Sequence, residues 1–213
     1  MSEDKESRPA RGRRRAGEPS GREMLVRSAL KLFARHGYEG ASLRAIASEA
    51  GVDMALAARL FGPKEKLWSA VIGHLRQSQA EYKYALQQFV TIKDSDPRRA
   101  FCGMLELFAK ASVEQPDLIG FLLQEANNPG ERQDVVVKYL VAPFRLDCEP
   151  IIASCIEAGI LRGKKVGVVF GMISASVILP LAMPQLCGRK AGSRRRLGGE
   201  VVDEAKLLLL CDG

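Results

Sequence analysis

The side chains best suited to acid–base, nucleophilic or metal chemistry are few in this sequence and poorly spaced for it. Its two histidines, His36 and His74, stand far apart without carboxylate or thiol partners at ligand spacing. The five cysteines, Cys102, Cys148, Cys155, Cys187 and Cys211, are odd in number and form no C-x-x-C pair. Neither a zinc site nor a disulfide framework is therefore expected. Cys148 and Cys155 would share a helix face, but two turns separate them by roughly 10 Å, too far for a direct disulfide. No nucleophile elbow, phosphate loop or His–carboxylate arrangement is present, so the sequence does not read as an enzyme. No cofactor and no metal are called for.

What the chain does carry is positive charge. The formal net charge is +7 over 213 residues, and residues 1–68 hold 14 Lys/Arg against 9 Asp/Glu. If a polyanion binds, it binds at the N-terminal third. Residues 1–20 are polar and Arg-rich (Arg11, Arg13, Arg14 and Arg15 among them) and read as a flexible arm, not as an export signal. Such a run is often only a solvated tail; beside a DNA-binding element, groove or phosphate contact is the favoured reading.

That element is the stretch from Ser42 to Phe61, which reads as short helix, tight turn, short helix. Ser42 and Asp53 are good N-caps. Ala47 is small enough for a second helix to approach, and Gly51 lacks the Cβ that penalises a sharp turn. Ile46, Val52 and Ala57 supply a small core between the helices. This is the layout of a helix-turn-helix, whose second helix enters the major groove by its N-terminus.

Residues 22–68 resemble the DNA-binding domain of the TetR/AcrR family of transcriptional regulators. The matching positions run from Arg22, Leu25, Ala29, Phe33 and Gly37-Tyr38 through Ser42, Ile46-Ala47 and Ala50-Gly51-Val52 to Phe61-Gly62, Lys64 and Leu67. The resemblance implies that Ser42 and Arg44 meet phosphate or a base edge, and that Asp53, Met54, Ala55, Ala58 and Arg59 line the recognition helix. It also implies that Lys64 meets phosphate. Arg13, Arg14 and Arg15 are expected to add contacts from the arm. The sequence departs from the family pattern at Ala58 and Leu60, where relatives often carry aromatic or His residues, and at Pro63, which replaces a Ser-type cap.

The expected fold is all-α: an N-terminal three-helix helix-turn-helix DNA-binding domain followed by a helical ligand-binding and dimerisation domain. The division expected is 1–20 arm, 21–68 DNA-binding domain and 69–213 body. Apolar periodicity and Gly/Pro breaks place helices near 22–37, 42–50, 54–61, 64–90, 97–113, 117–127, 131–158, 163–186 and 198–211. Pro143 and Pro150 should kink or split the 131–158 stretch.

The run from Val166 to Leu186 carries no formal charge over 21 residues, which raises the alternative of a membrane-associated or protein-binding helical protein. Two prolines and several small residues favour a buried helix instead. Gly167, Gly171 and Ala175 form a four-residue-spaced row that lets helices approach closely. The family resemblance implies homodimerisation through about 163–186 and 198–211, and an effector pocket in the body. Aromatic candidates for that pocket include Trp68, Tyr82, Phe89, Phe101, Phe108, Phe121, Tyr139 and Phe144, with Glu125 and Arg145 as polar anchors. The expected partners are an inverted-repeat operator in double-stranded DNA, a second copy of the chain and a small-molecule effector, with no membrane. A bacterial cytoplasmic repressor is the reading these features favour.

Overall fold

A computed structural model describes residues 19–190 and 193–211. It contains ten α-helices among the described residues, and the only β pairing there is an isolated bridge between Leu161 and Leu210. Arg13, Arg14 and Arg15 lie outside the described residues.

α1 (Gly21–Gly40) opens with a reciprocal capping box: Ser20 Oγ accepts from Glu23 N–H at 3.2 Å, and Glu23 accepts from Ser20 N–H at 2.6 Å. The predicted stop at Gly37 is present as a break in the helix, with φ +70°, but a further turn follows it. That turn buries Tyr38 against Phe33, with ring centroids 5.7 Å apart. Gly37 suits this turn because of its φ; a Cβ there would also stand 3.2 Å from the movable end of the Gln124 side chain.

α2 (Leu43–Glu49) and α3 (Met54–Phe61) follow as predicted, and α4 (Lys64–Ile92) is a long strut leading from them into the body. α5 (Pro97–Glu114) and α6 (Pro116–Ala126) each begin on a proline, where a missing N–H costs nothing.

The predicted 131–158 helix divides into α7 (Glu131–Val136), a wide π turn (Val137–Val141) and α8 (Ala142–Glu157). The irregularity falls ahead of Pro143, whose ring excludes a regular bond to the preceding turn; Ala142 N–H reaches back to the Val137 carbonyl instead. Pro150 is carried inside α8 without splitting it.

The uncharged run is shorter than predicted as a helix. α9 (Val166–Ala182) ends because Met183 precedes Pro184 and is pushed to φ −127°, ψ 72°; a 3-10 turn (Pro184–Cys187) completes the segment. α10 (Arg194–Leu209) starts earlier than predicted. Its first residue is fixed by Arg194, whose guanidinium donates to the Leu181 carbonyl at 2.9 Å and the Ala182 carbonyl at 3.4 Å, capping α9. Among the described residues, no helix is long and apolar enough to cross a membrane.

Two apolar cores hold the chain. One joins α1–α3 and the first half of α4 to α6, α7 and the π turn, through Leu25, Phe33, Ile46, Leu67, Phe121 and Leu140. The other joins the second half of α4 to α5, α8, α9 and α10, through Leu86, Phe101, Met104, Ile151 and Ile173. α6 therefore belongs to the same packed unit as the helix-turn-helix, while also facing the body.

Candidate nucleic-acid interface and internal cavity

The geometry at α2–α3 follows from its caps. Ser42 Oγ accepts from Ala45 N–H at 3.1 Å, and Asp53 accepts from Ala55 and Leu56 N–H at 2.8 and 3.3 Å. Gly51 turns the chain with φ +61°, and Val52 N–H closes the turn onto the Ala47 carbonyl at 2.9 Å. Ile46, Ala47 and Ala57 are buried between the helices and Val52 is half-buried, as the spacing predicts. Asp53, Met54, Ala55, Ala58 and Arg59 are all exposed, so the start and outer face of α3 are free of protein contacts that would bury them. Ser42 and Arg44 are exposed on the neighbouring end of α2.

Two side-chain contacts brace this unit. The Arg22 guanidinium lies 4.5 Å from the Phe61 ring centroid, clasping the end of α3. Lys31 of α1 pairs with Glu49 of α2.

Lys64 is half-buried at the start of α4. Its ammonium donates to the Tyr38 carbonyl at 2.8 Å and sits 4.0 Å from the Tyr38 ring centroid. The Tyr38 hydroxyl donates to Glu65 at 2.8 Å, and Arg132 of α7 lies 4.1 Å from the same ring centroid. Burial first, and then the hydrogen bond to Glu65, push the Tyr38 phenol up to about 12. The role of Tyr38 as a hub was not legible in the sequence, because its partners come from α4 and α7.

In the body, a cavity of about 170 Å³ opens between α4, α5, α6, the π turn, α8 and α9. Its walls are apolar: Leu86, Leu107, Leu118, Ile119, Leu122, Leu140, Val141 and Ile178, with three phenylalanines, Phe108, Phe144 and Phe170. Tyr82 is at its edge, where the hydroxyl donates to Glu114 at 2.7 Å; burial and that carboxylate push the phenol up to about 12.

Of the candidates named from sequence, Tyr82, Phe108 and Phe144 line this cavity; Phe101, Phe121, Glu125, Tyr139 and Arg145 do not. Phe101 and Phe121 are fully buried in the two cores. Glu125 is buried against Trp68, Tyr139 lies on the surface beneath Arg76, and Arg145 pairs with Glu149 along α8. Phe170 and Ser174 were missed because the family resemblance assigns their helix to dimerisation, although one of its faces lines the cavity.

Residues 25–71 match the family model of bacterial regulatory proteins of the tetR family. That stretch, from within α1 into α4, is a tetR-type DNA-binding region. Several solved transcriptional regulators share its fold over about nine tenths of the chain. HlyIIR, a hemolysin II transcriptional regulator, is 20% identical with a TM-score of 0.65, over 90% of this chain and 98% of that one. PfmR from Thermus thermophilus, a TetR family transcriptional regulator, is 20% identical with a TM-score of 0.63, over 92% and 100%. The fatty acid degradation regulator FadR from Bacillus halodurans is 14% identical with a TM-score of 0.62, over 89% and 96%. At these identities the likeness establishes the fold. No curated protein matches the sequence. The tetR-family match over residues 25–71 supports a DNA-binding regulator.

Proposed function

We propose that the chain is a homodimeric repressor that grips an inverted-repeat operator and releases it when a small molecule enters the body cavity. The observation that carries the DNA-binding part is the exposed, doubly capped α3, whose Asp53, Met54, Ala55, Ala58 and Arg59 face outward together. In this reading α3 enters the major groove, while Ser42, Arg44 and Lys64 hold flanking phosphates. Arg13, Arg14 and Arg15 add contacts from the arm. Residues 21–68 serve as the DNA-binding domain and 69–213 as the effector-binding and dimerisation domain.

Dimerisation is assigned to α9 and α10. Val168, Gly171, Met172, Ala175 and Leu179 recur at helical spacing on one exposed face of α9, with Met172 at 65% exposure. Leu207 and Leu208 are exposed on α10, the latter at 80%. An apolar stripe of this kind is buried by a second copy more economically than by water.

The cavity touches α4, α5 and α6 at once, and α6 packs on the DNA-binding unit. A ligand that prefers a different spacing of these helices weakens DNA binding, and DNA weakens the ligand by the same factor. Selection of genomic fragments by the purified protein, followed by footprinting, tests the assignment. A two-fold symmetric protected site is expected, and failure to prefer any fragment over random competitor DNA would overturn it.

A further inference from the structure

We propose that the ligand of the body cavity is an uncharged molecule of about the size of a single aromatic ring, carrying one hydrogen-bonding group that meets Ser174. This rests on the cavity being the effector site.

Size comes first. At about 170 Å³ the cavity is close to the ~150 Å³ engineered apolar cavity that holds benzene. It accommodates one ring with a small substituent and is too small for a fused polycycle or a long unbent chain.

Shape and polarity come next. Phe108, Phe144 and Phe170 meet on one wall, with centroids 5.2 to 6.3 Å apart and the Phe170 ring steeply inclined to the other two. Such a cluster offers both ring edges and a ring face to an aromatic guest. No Asp, Glu, Lys or Arg lines the cavity, so a carboxylate or ammonium group would be buried without a counter-ion. Glu114, held by Tyr82 at the edge of the cavity, repels an anion placed there.

Four polar side chains line the wall, Gln79, Tyr82, Ser112 and Ser174, and Gln79 is half-buried. Ser112 Oγ donates to the Phe108 carbonyl at 2.7 Å, and Tyr82 donates to Glu114. Ser174 differs. Its Oγ is sealed from solvent and has no hydrogen-bond partner, although it lines the cavity. A buried hydroxyl without a partner is costly, and a ligand hydroxyl or carbonyl placed beside it removes that cost.

The test uses the full-length protein and four probes of one ring each: toluene, phenol, benzoate and benzylamine. Calorimetry and thermal shift should show toluene and phenol binding and stabilising, with the two ions at least about a hundredfold weaker. Ser174→Ala should weaken phenol by about five- to tenfold and leave toluene unchanged. Ala111→Leu and, independently, Ile178→Phe should abolish both, since each fills the cavity. Benzoate or benzylamine binding as tightly as phenol overturns the proposal, as does no binding by either neutral probe, or equal losses for both in Ser174→Ala. If the neutral probes bind as expected yet never change affinity for the selected operator, the ligand class stands and the effector reading falls.

Discussion

The indole N–H of Trp68 donates to the Glu125 carboxylate across 3.0 Å, tying α4 to α6 inside the protein. The other carboxylate oxygen lies 3.6 Å from Arg132 Nε, an ionic contact too long for a hydrogen bond. Arg132 in turn rests on the Tyr38 ring, and Tyr38 holds Lys64. A continuous set of contacts thus runs from α6, whose Leu118, Ile119 and Leu122 line the cavity, to the cation at the head of α4.

Glu125→Ala should therefore destabilise the fold, because it strands a buried indole N–H and removes the carboxylate beside Arg132. The expected loss is about 1–3 kcal/mol. Glu125→Gln keeps an acceptor for Trp68 and should lose less. Thermal unfolding ranks the three proteins, at about 2–4 °C per kcal/mol for a chain of this size. Equal stability of wild type and Glu125→Ala would show that this contact does not tie α4 to α6.

Base-reading and phosphate-holding side chains should separate on DNA. Changes at Met54, Ala55 or Arg59 are expected to alter which operator positions are tolerated, since these residues sit on the exposed face of α3. Lys64→Ala and removal of residues 1–15 should weaken all sequences alike and flatten the salt dependence of binding, by about one unit of slope per lost phosphate contact. Gel shifts over a salt series read both effects. An arm deletion that leaves affinity and slope unchanged makes the arginine run a solubilising tail only.

What the sequence made legible and what it hid divide along a physical line. The caps Ser42 and Asp53, the turn at Gly51 and the exposed face of α3 all depend on residues within a few positions of each other, and periodicity alone locates them. The cavity depends on which face of α9 meets α5, which turns on packing between residues far apart in the chain. Phe170 and Ser174 were hidden for that reason. Glu125 is a similar case: its partner Trp68 lies 57 residues earlier in the chain. The start of α10 at Arg194 was missed because a run of arginines reads as a loop until one of them is seen capping another helix.

A thiol switch is disfavoured by the surroundings of Cys148 and Cys155. Burial pushes the Cys155 thiol from 9.0 up to about 12 and raises Cys148 as well, and Cys155 Sγ donates to the Pro97 carbonyl at 3.1 Å. Neither is a ready thiolate at neutral pH. Mass spectrometry after brief iodoacetamide treatment at about pH 7.5 should find both unmodified in the native protein and alkylated once it is unfolded. Linkage adds a second readout. These thiols and the phenols of Tyr38 and Tyr82 have folded values above their unfolded ones of 9.0 and 10.0, so the folded state holds their protons more tightly. Their contribution is complete below about pH 9 and is lost as pH rises toward about 12. Denaturant midpoints should fall across that window; a flat profile would contradict the burial of all four groups.

Gly171→Leu isolates the proposed dimer face from the fold of the single chain. Gly171 is exposed, and beyond its own stretch of helix backbone nothing lies within 4 Å of where its Cβ would stand, so the monomer accepts the larger side chain. Replacing a mid-helix glycine should even strengthen α9, by up to about 1 kcal/mol. In a dimer packed through the Gly167–Gly171–Ala175 row, the same leucine holds two backbones apart, an overpacking cost of about 1–3 kcal/mol per subunit. Since ~1.4 kcal/mol is a factor of ten, association should weaken tenfold or more. Gly73→Ala is the control: it is exposed on α4, equally uncrowded and away from the stripe, so it should stabilise the protein without changing its assembly. Sedimentation velocity over a concentration series separates the two effects, and circular dichroism confirms that the helices remain. Monomers with intact helices, together with loss of operator binding at low concentration, are the expected result. A dimer of unchanged strength would place the interface on another face, with α9 and its exposed Met172 left to some other contact.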